Sequence, residues 1–392
     1  MHRYRTVVVL NVAVFIMMVG VGMLMAILPA RMIAFTGSPS SAGYLAAVFA
    51  AAYLVFQIPT GRLADRIGFR WLIGSGFVIC GISGILFYRA ESGAALLVGR
   101  ILQGIGEVPI WALAPALLSI CYPENKGRVI GVYNASMHLG LSVGPVIGLL
   151  LERFGRSPQA PIQFFIVASF AAGLLVWMLA PNTAGATRRQ QGGTAPGFRN
   201  LLRRRSIPVM LAGVMLYGVG YGFFVTSIPG YLISVKRFSA TDLGIYFTLF
   251  YIAISSIQLT AGPLSDRYGR SGFMIAGLLL AFLGVVGFPA LGRIGAMGLL
   301  FAAGLGLGMF YVASIAHLNE AVGAGRKGTI SGLYFFAWGA GYFVGPLLAG
   351  IFGKHTGLAA CFRLYGGLLL VQVVLMFLCR ERWGDPASGA AC

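Results

Sequence analysis

Three polar residues stand in an otherwise apolar stretch: Arg100, Gln103 and Glu107. Spacings of three and four residues put them on one face of a helix. The apolar run opens near residue 94, so Glu107 lies about 20 Å along it at ~1.5 Å per residue. In a bilayer an unpaired charge at that depth costs several kcal/mol, so the carboxylate is expected to be paired or to face a cavity. Burial favours the neutral carboxyl and a nearby arginine favours the charged one. A group held between those two pulls can load and release a proton. The competing reading makes Glu107 a structural partner of Arg100.

His138 lies about 15 Å into the next run, with Asn134 and Ser142 four residues to either side on the same face. An imidazole, with an unperturbed pKa of about 6.5, suits a proton relay; the plainer alternative is a neutral hydrogen-bonding residue. His317 and Glu320 sit three apart near the end of a later run. They read as an interfacial cluster or gate beside Arg326 and Lys327. Two neighbouring donors do not make a metal site, so neither metal nor cofactor is expected.

The elements that must position these residues are apolar helices. Of 392 residues, 58% are hydrophobic and 10% charged, with mean hydropathy +0.85. Soluble domains carry roughly 25% charged residues, so the composition is that of a membrane protein. Twelve apolar segments follow in order: 6–30, 41–61, 71–88, 94–121, 128–151, 161–181, 206–232, 240–262, 272–291, 296–320, 328–352 and 358–379. Backbone groups in hydrocarbon must pair within their own segment, which makes each run a helix. The first is too long for a signal peptide and lacks a cleavage site.

The net charge is +19. Because the basic residues lie between apolar runs, they read as topology signals and not as a nucleic-acid surface. Nineteen of the 29 Lys and Arg fall on one side if both termini are cytoplasmic, which fits the positive-inside rule and a multi-pass protein of the inner membrane. The stretch 182–205 has no apolar period and reads as a cytoplasmic linker. Its Arg203, Arg204 and Arg205 suit a topology anchor or contact with anionic lipid. Residues 1–181 and 206–392 are then two six-helix bundles. The five cysteines have no ligand or disulfide spacing.

The chain is also built twice. Gly61, Asp65, Arg66 and Gly68 recur as Gly262, Asp266, Arg267 and Gly269 at an offset of 201. Lys126-Gly127 recurs as Lys327-Gly328, and Gly144-Pro145 as Gly345-Pro346. Parallel repeats of this kind place a binding site near the bilayer midplane between bundles. The repeat is blank at the stripe described first, where Arg100, Gln103 and Glu107 meet Leu300, Ala303 and Leu307 at offset 200. The fold therefore does not require charge there.

Three motifs carry a resemblance. Gly61-x-x-x-Asp65-Arg66-x-Gly68-x-Arg70 resembles the loop between helices 2 and 3 of the major facilitator superfamily. Arg100-x-x-Gln103-Gly104-x-Gly106 resembles its helix 4 motif. Gly140-x-x-x-Gly144-Pro145-x-x-Gly148 resembles the helix 5 motif of drug:proton antiporters, with Leu149 where a second glycine is usual. The resemblance implies an all-α membrane protein of twelve transmembrane helices in two pseudo-symmetric bundles, the major facilitator fold. It implies a conformational latch of Gly61, Asp65, Arg66, Gly68, Arg70, Asp266 and Arg267. In it Asp65 would accept from the start of helix 11 near Gly328, Asp266 from helix 5 near Gly127, and Arg66 would pair with the acid. The alternative is a topology determinant alone.

Tyr217, Tyr221, Gln258, Tyr311, Tyr334 and Trp338, with Gln103 and Asn134, are the candidate lining for a small amphipathic or aromatic compound; ordinary packing is the competing reading for each. No phosphate-binding loop is present, so transport is expected to run on an ion gradient. The expectation is a monomeric proton-coupled exporter, not an enzyme, whose partners are substrate, protons and membrane lipids. Glu107, His138 and Arg100 would couple the proton. The alternatives are a proton symporter for an anionic metabolite, a lipid flippase, or a sensor that borrowed the fold.

Overall fold

The computed structural model of the chain describes residues 4–37, 41–154, 157, 159–181, 206–322 and 326–378. The expected linker 182–205, its arginines and the last two cysteines lie outside the described residues. Each of the twelve apolar runs is helical. The first six are α1 (Arg5–Thr36), α2 (Ala42–Ile67), α3 (Phe69–Arg89), α4 (Gly93–Cys121), α5 (Lys126–Phe154) and α6 (Ala160–Leu179). The next, α7, is α-helical over Ser206–Gly222, π-helical over Phe223–Ser227 and α-helical over Ile228–Ser234. Then come α8 (Ala240–Tyr268), α9 (Arg270–Gly287), α10 (Arg293–Glu320), α11 (Lys327–Thr356) and α12 (Leu358–Leu378). A short 3₁₀ turn, Phe288–Ala290, follows α9.

The repeated charged stretch is not the loop expected from sequence. Helix α2 continues through Arg62, Asp65 and Arg66 to Ile67, and α3 begins at Phe69. Only Gly68 stands between them. Arginine is a good helix former, so the helix carries its charge beyond the apolar boundary without breaking. Gly68 has φ +96° and its counterpart Gly269 has φ +93°. Residues with a side chain rarely adopt such values, and they turn the chain within one residue.

The uniform helix expected over 206–232 is also corrected. A π-helical segment shifts the hydrogen-bond register and leaves backbone carbonyls for side chains to satisfy. The Tyr246 hydroxyl of α8 donates to the Phe224 carbonyl at 2.7 Å, and Thr226 donates to the Gly222 carbonyl at 2.7 Å.

The chain divides into two compact units. The first comprises Met1–Pro123, Val132–Gly192 and Ala324–Phe335; the second comprises Glu124–Gly131, Gly193–Gly323 and Phe336–Cys392. The beginning of α5 thus belongs with the second unit and the beginning of α11 with the first. In the first unit α3 packs on α4 and α6, α2 on α4, and α1 on α6; in the second, α9 packs on α10 and α12, α8 on α10, and α7 on α12. The two sets of pairs are the same under the repeat.

Glycine makes these pairs possible. A Cβ on Gly76 of α3 would fall 2.5 Å from the Gly106 carbonyl oxygen of α4, and one on Gly106 would fall 2.8 Å from that of Gly76. Gly277 and Gly306 repeat the same facing pair between α9 and α10. Small residues let membrane helices approach closely enough for dispersion to hold them where lipid supplies no hydrophobic drive.

Eleven helices among the described residues are long and apolar enough to cross a membrane. The twelfth, α5, carries Asn134, Ser136, His138 and Ser142 within its apolar run. Its polar face is covered by protein: Asn134 and His138 are buried, and Ser136 donates to the Asn11 side chain of α1 at 2.6 Å.

Gly106→Val should lower the stability of the detergent-solubilised protein by about 1–3 kcal/mol, since the added carbons meet the Gly76 carbonyl and the Cys80 amide as well as the short Cys80 side chain. Gly298→Ala, where a Cβ meets nothing within 4 Å, should keep or slightly raise the melting temperature, since alanine is the better helix former. A thermal melt of both variants beside the parent checks the pair.

Candidate functional site

The start of α4 is capped by Ser92, whose hydroxyl accepts from the Ala95 amide at 3.3 Å. From there the helix carries a continuous polar row. Arg100 Nη1 donates to Gln103 Oε1 at 2.8 Å, and Gln103 Nε2 donates to Glu107 Oε1 at 2.9 Å. Trp111 Nε1 donates to Glu107 Oε2 at 3.1 Å. Each carboxylate oxygen therefore holds one donor. Gln103 is fully buried and Glu107 is 4% exposed. The Arg100 guanidinium lies 5.1 Å from the Phe49 ring centroid of α2, a cation–π contact that supports the charge from beneath.

Two prolines flank Trp111 in this row. Pro109 and Pro115 lie within α4, and proline gives no N–H to the carbonyl four residues back. The helix is thereby weakened at Ile105 and Trp111. Across the same segment, the Tyr133 hydroxyl of α5 donates to the Ile110 carbonyl at 2.8 Å.

His138 is brought to this site through Trp111. Their rings meet edge-on, with centroids 6.3 Å apart and planes at 78°. His138 Nδ1 lies 2.8 Å from the Asn134 carbonyl oxygen, and Ser142 donates to the His138 carbonyl at 2.7 Å. Trp111 also meets Phe335 of α11 edge-on at 6.4 Å. The sequence reading gave Trp111 no place. Its signal was present, because it extends the stripe of Gln103 and Glu107 by one more interval of four.

The two repeated acids each close a helix start. Asp65 accepts from the Gly328 amide at 2.9 Å and the Thr329 amide at 2.8 Å, and from the Thr329 hydroxyl. Asp266 accepts from the amides of Gly127 and Arg128, each at 3.2 Å. The first N–H groups of a helix have no partner within it and the helix dipole favours an anion there, so these bonds are charge-assisted. Gly61 against Gly328, and Gly262 against Gly127, leave no room for a Cβ on either side. Arg66, expected beside the acid, is exposed and makes no ion pair with Asp65 among the described residues. Two backbone amides and a hydroxyl occupy the carboxylate instead. Arg70 lies over the Trp71 ring at 5.2 Å. Arg62 and Arg267 are exposed.

Around those helix starts the repeats differ. Arg270 bridges Asp266 and Glu320, bonding Glu320 at 2.9 Å, and Lys126 approaches Glu320 at 3.7 Å. Glu320 was expected beside Arg326 and Lys327. It pairs with Arg270 and Lys126 because the tertiary arrangement brings the starts of α5 and α9 to the end of α10. Lys327 reaches instead to the hydroxyl and carbonyl of Ser119, both at 3.2 Å. Ser119 holds the position that Glu320 holds in the other repeat. His317 lies one turn before Glu320, within reach of its charge.

The aromatic candidates gather in the second unit. Tyr217 stacks on Tyr311 at 5.4 Å, and Tyr221 meets Tyr217 at 6.4 Å and Trp338 at 5.7 Å. Tyr221 also forms a hydrogen bond with Tyr251. Tyr334 belongs to the first unit, against Phe335 at 5.2 Å. Gln258 is fully buried beneath Gly131, and its repeat counterpart Gln57 is fully buried beneath Gly332. Gln57 is a second residue absent from the sequence reading that the offset of 201 would have supplied. Thr329 is a third, and nothing in its spacing marks it.

Among the described residues no group of three or more His, Cys, Asp or Glu is placed to hold a metal ion. A repeated many-helix membrane fold with a buried polar row on one helix defines the class of membrane transporters. The model of the Major Facilitator Superfamily matches residues 10–254 and 210–390, and the chain belongs to that family. It is a multi-pass secondary transporter and not an enzyme.

The Bacillus subtilis protein "Multidrug resistance protein 2" is 25% identical over 96% of this chain and 95% of its own length. The Bacillus subtilis "Hexuronate transporter" is 23% identical over 91% of this chain and 90% of its own. The Escherichia coli "Fosmidomycin resistance protein" is 22% identical, over 93% and 90%. Among solved structures, the human organic anion transporter MFSD10 superposes with TM-score 0.80 over 95% of this chain and 99% of its own, at 18% identity. The proton:xylose symporter XylE gives 0.79 over 96% and 95%, at 15% identity. These likenesses establish the major facilitator fold.

Asp65→Ala leaves two amides at the start of α11 without their anion. Each buried donor left unsatisfied costs about 1–3 kcal/mol, so the variant should melt clearly below the parent. Asp65→Asn, which keeps an acceptor oxygen, should recover part of that loss in the same thermal melt.

Proposed function

We propose that the chain exports a small amphipathic organic compound in exchange for protons, by alternating access between residues 1–181 and 206–392 as the moving halves. The observation that carries this reading is Glu107. It is a buried carboxylate set in a hydrogen-bonded row that the other repeat replaces with leucine and alanine. A charge that architecture does not need, placed where it costs several kcal/mol, is retained for work. Arg100 at the head of the row stabilises the charged form and His138 receives or supplies the proton on the α5 side. The multidrug and fosmidomycin resistance relatives support export.

Gln103, Asn134, Tyr217, Tyr221, Gln258, Tyr311, Tyr334 and Trp338 are the proposed substrate contacts, and their mix of rings and amides suits an amphipathic compound. The caps at Asp65 and Asp266, with Gly61, Gly68, Arg66, Arg70 and Arg267, are the proposed latch. His317 and Glu320, tied to Arg270 and Lys126, are the proposed gate. Inner-membrane residence, cytoplasmic termini and a monomeric state complete the reading, supported by the distribution of Lys and Arg.

One observation favours a second reading. Arg100 is a half-buried guanidinium facing the same row, and the hexuronate transporter relative moves an anion. Symport of a carboxylated metabolite would use Arg100 as its counter-charge.

In proteoliposomes of known orientation, an imposed pH gradient should drive ethidium out through the parent protein. Glu107→Gln should abolish that movement while the melting temperature is kept. Unchanged coupling in Glu107→Gln would overturn the assignment. Gradient-driven uptake of a hexuronate with no ethidium movement would select the second reading.

A further inference from the structure

We propose that Trp111 is the positioning residue that passes the charge state of Glu107 from α4 to α5 and α11. The proposal rests on the reading of Glu107 as a proton site and adds the element that answers it. Three contacts converge on this one side chain. Its indole N–H donates to Glu107 Oε2 at 3.1 Å, and its ring edges meet His138 of α5 and Phe335 of α11. Phe335 is the last residue of the α11 segment that belongs to the first unit. The indole thus ties a titratable oxygen to the point where α11 leaves that unit.

The physical step is a change in the strength of one hydrogen bond. An N–H donating to a carboxylate forms a charge-assisted bond, roughly twice as strong as a neutral one. When a proton binds Glu107, a new O–H bond forms on the carboxyl and its charge is lost. The indole bond then falls to neutral strength while the ring contacts are unaltered. The balance on Trp111 shifts from the carboxyl toward His138 and Phe335.

The groups around Glu107 fit a single switch. On α4 itself Arg100 and Gln103 hold the other oxygen through the polar row. From α3, Cys80 lies within electrostatic reach of the carboxylate. From α2, the Phe49 ring lies beneath Arg100 and stacks on Tyr53 at 5.9 Å. Helix α1 is charged only at Arg5 and Arg31, and Arg31 donates to the carbonyls of Phe87 and Ala90 at the end of α3. From α5 and α11, His138 and Phe335 face the indole. Trp111 touches Glu107 on its own helix and the side chains of His138 and Phe335 on the facing helices.

The test is the emission of Trp111 in purified protein in detergent, taken as the difference between the parent and Trp111→Phe across about pH 5 to pH 9. The expected result is an emission that changes with pH in the parent difference spectrum and is flat when Glu107→Gln is present in both chains. A flat response in the parent overturns the proposal, as a merely structural indole would give. So does a response that survives Glu107→Gln, and one abolished only by His138→Gln assigns the titration to the imidazole. Should Trp111→Phe fail to fold, 5-fluorotryptophan labelling of the unsubstituted chain yields one resonance for each of its five tryptophans. One of them must then titrate, and stop titrating in Glu107→Gln. Failure here leaves the transport assignment of Glu107 standing, because ethidium movement in proteoliposomes tests that separately. Loss of coupling in that assay with a pH-flat indole would retain the exporter and discard only the relay.

Discussion

In hydrocarbon, every polar group must find its partner inside the protein, and the arrangement of this chain follows from that demand. Helices answer it for most of the backbone. What remains are the first amides of each helix, which have no partner within it. At α11 and α5 they are met by carboxylates from α2 and α8. Those bonds require the helix ends to come very close, and closeness in turn requires glycine at Gly61, Gly328, Gly262 and Gly127. Glycine on the facing sides of α3 and α4, and of α9 and α10, serves the same end deeper in each unit. The repeat is therefore a repeat of close contacts more than of side-chain chemistry.

The repeat is broken at its polar side chains. One repeat surrounds its capping acid with Arg270, Glu320 and Lys126, whereas the other has Lys327 on Ser119. One repeat places an acid and an arginine within α4; α10 is apolar at those positions. The single row Arg100, Gln103, Glu107 and Trp111 gives each carboxylate oxygen one donor from its own helix. These donors lower the cost of burying the carboxylate. The helix that faces it, α5, is the least apolar of the twelve for a related reason. It carries Asn134, Ser136 and His138, whose partners come from its own backbone and from α1.

Much of this was legible in order along the chain. Length and hydropathy mark the twelve helices because a bilayer-spanning segment has to be apolar over about 20 residues. An offset of 201 marks the repeat and hence Asp65 and Asp266, and spacings of three and four mark the polar face of α4. Besides Arg66, three features were misread for physical reasons. The charged stretch near Asp65 is helical because a helix tolerates charge beyond the membrane boundary. Within α7, the π-helical segment comes from packing, in which Tyr246 supplies the donor that the Phe224 carbonyl takes. Glu320 finds Arg270 and Lys126 through tertiary approach, which sequence neighbours such as Lys327 cannot report.

The sequence by itself determined the class of the protein, its repeat, and the acid that the repeat does not explain. These are properties of period and composition, and they are written locally. Only the tertiary structure decided which amides Asp65 and Asp266 accept from, which cations hold Glu320, and that Trp111 stands between Glu107, His138 and Phe335. Those partners come from different helices, and no spacing along one helix encodes the distance to another. The site is thus named by the sequence and wired by the fold.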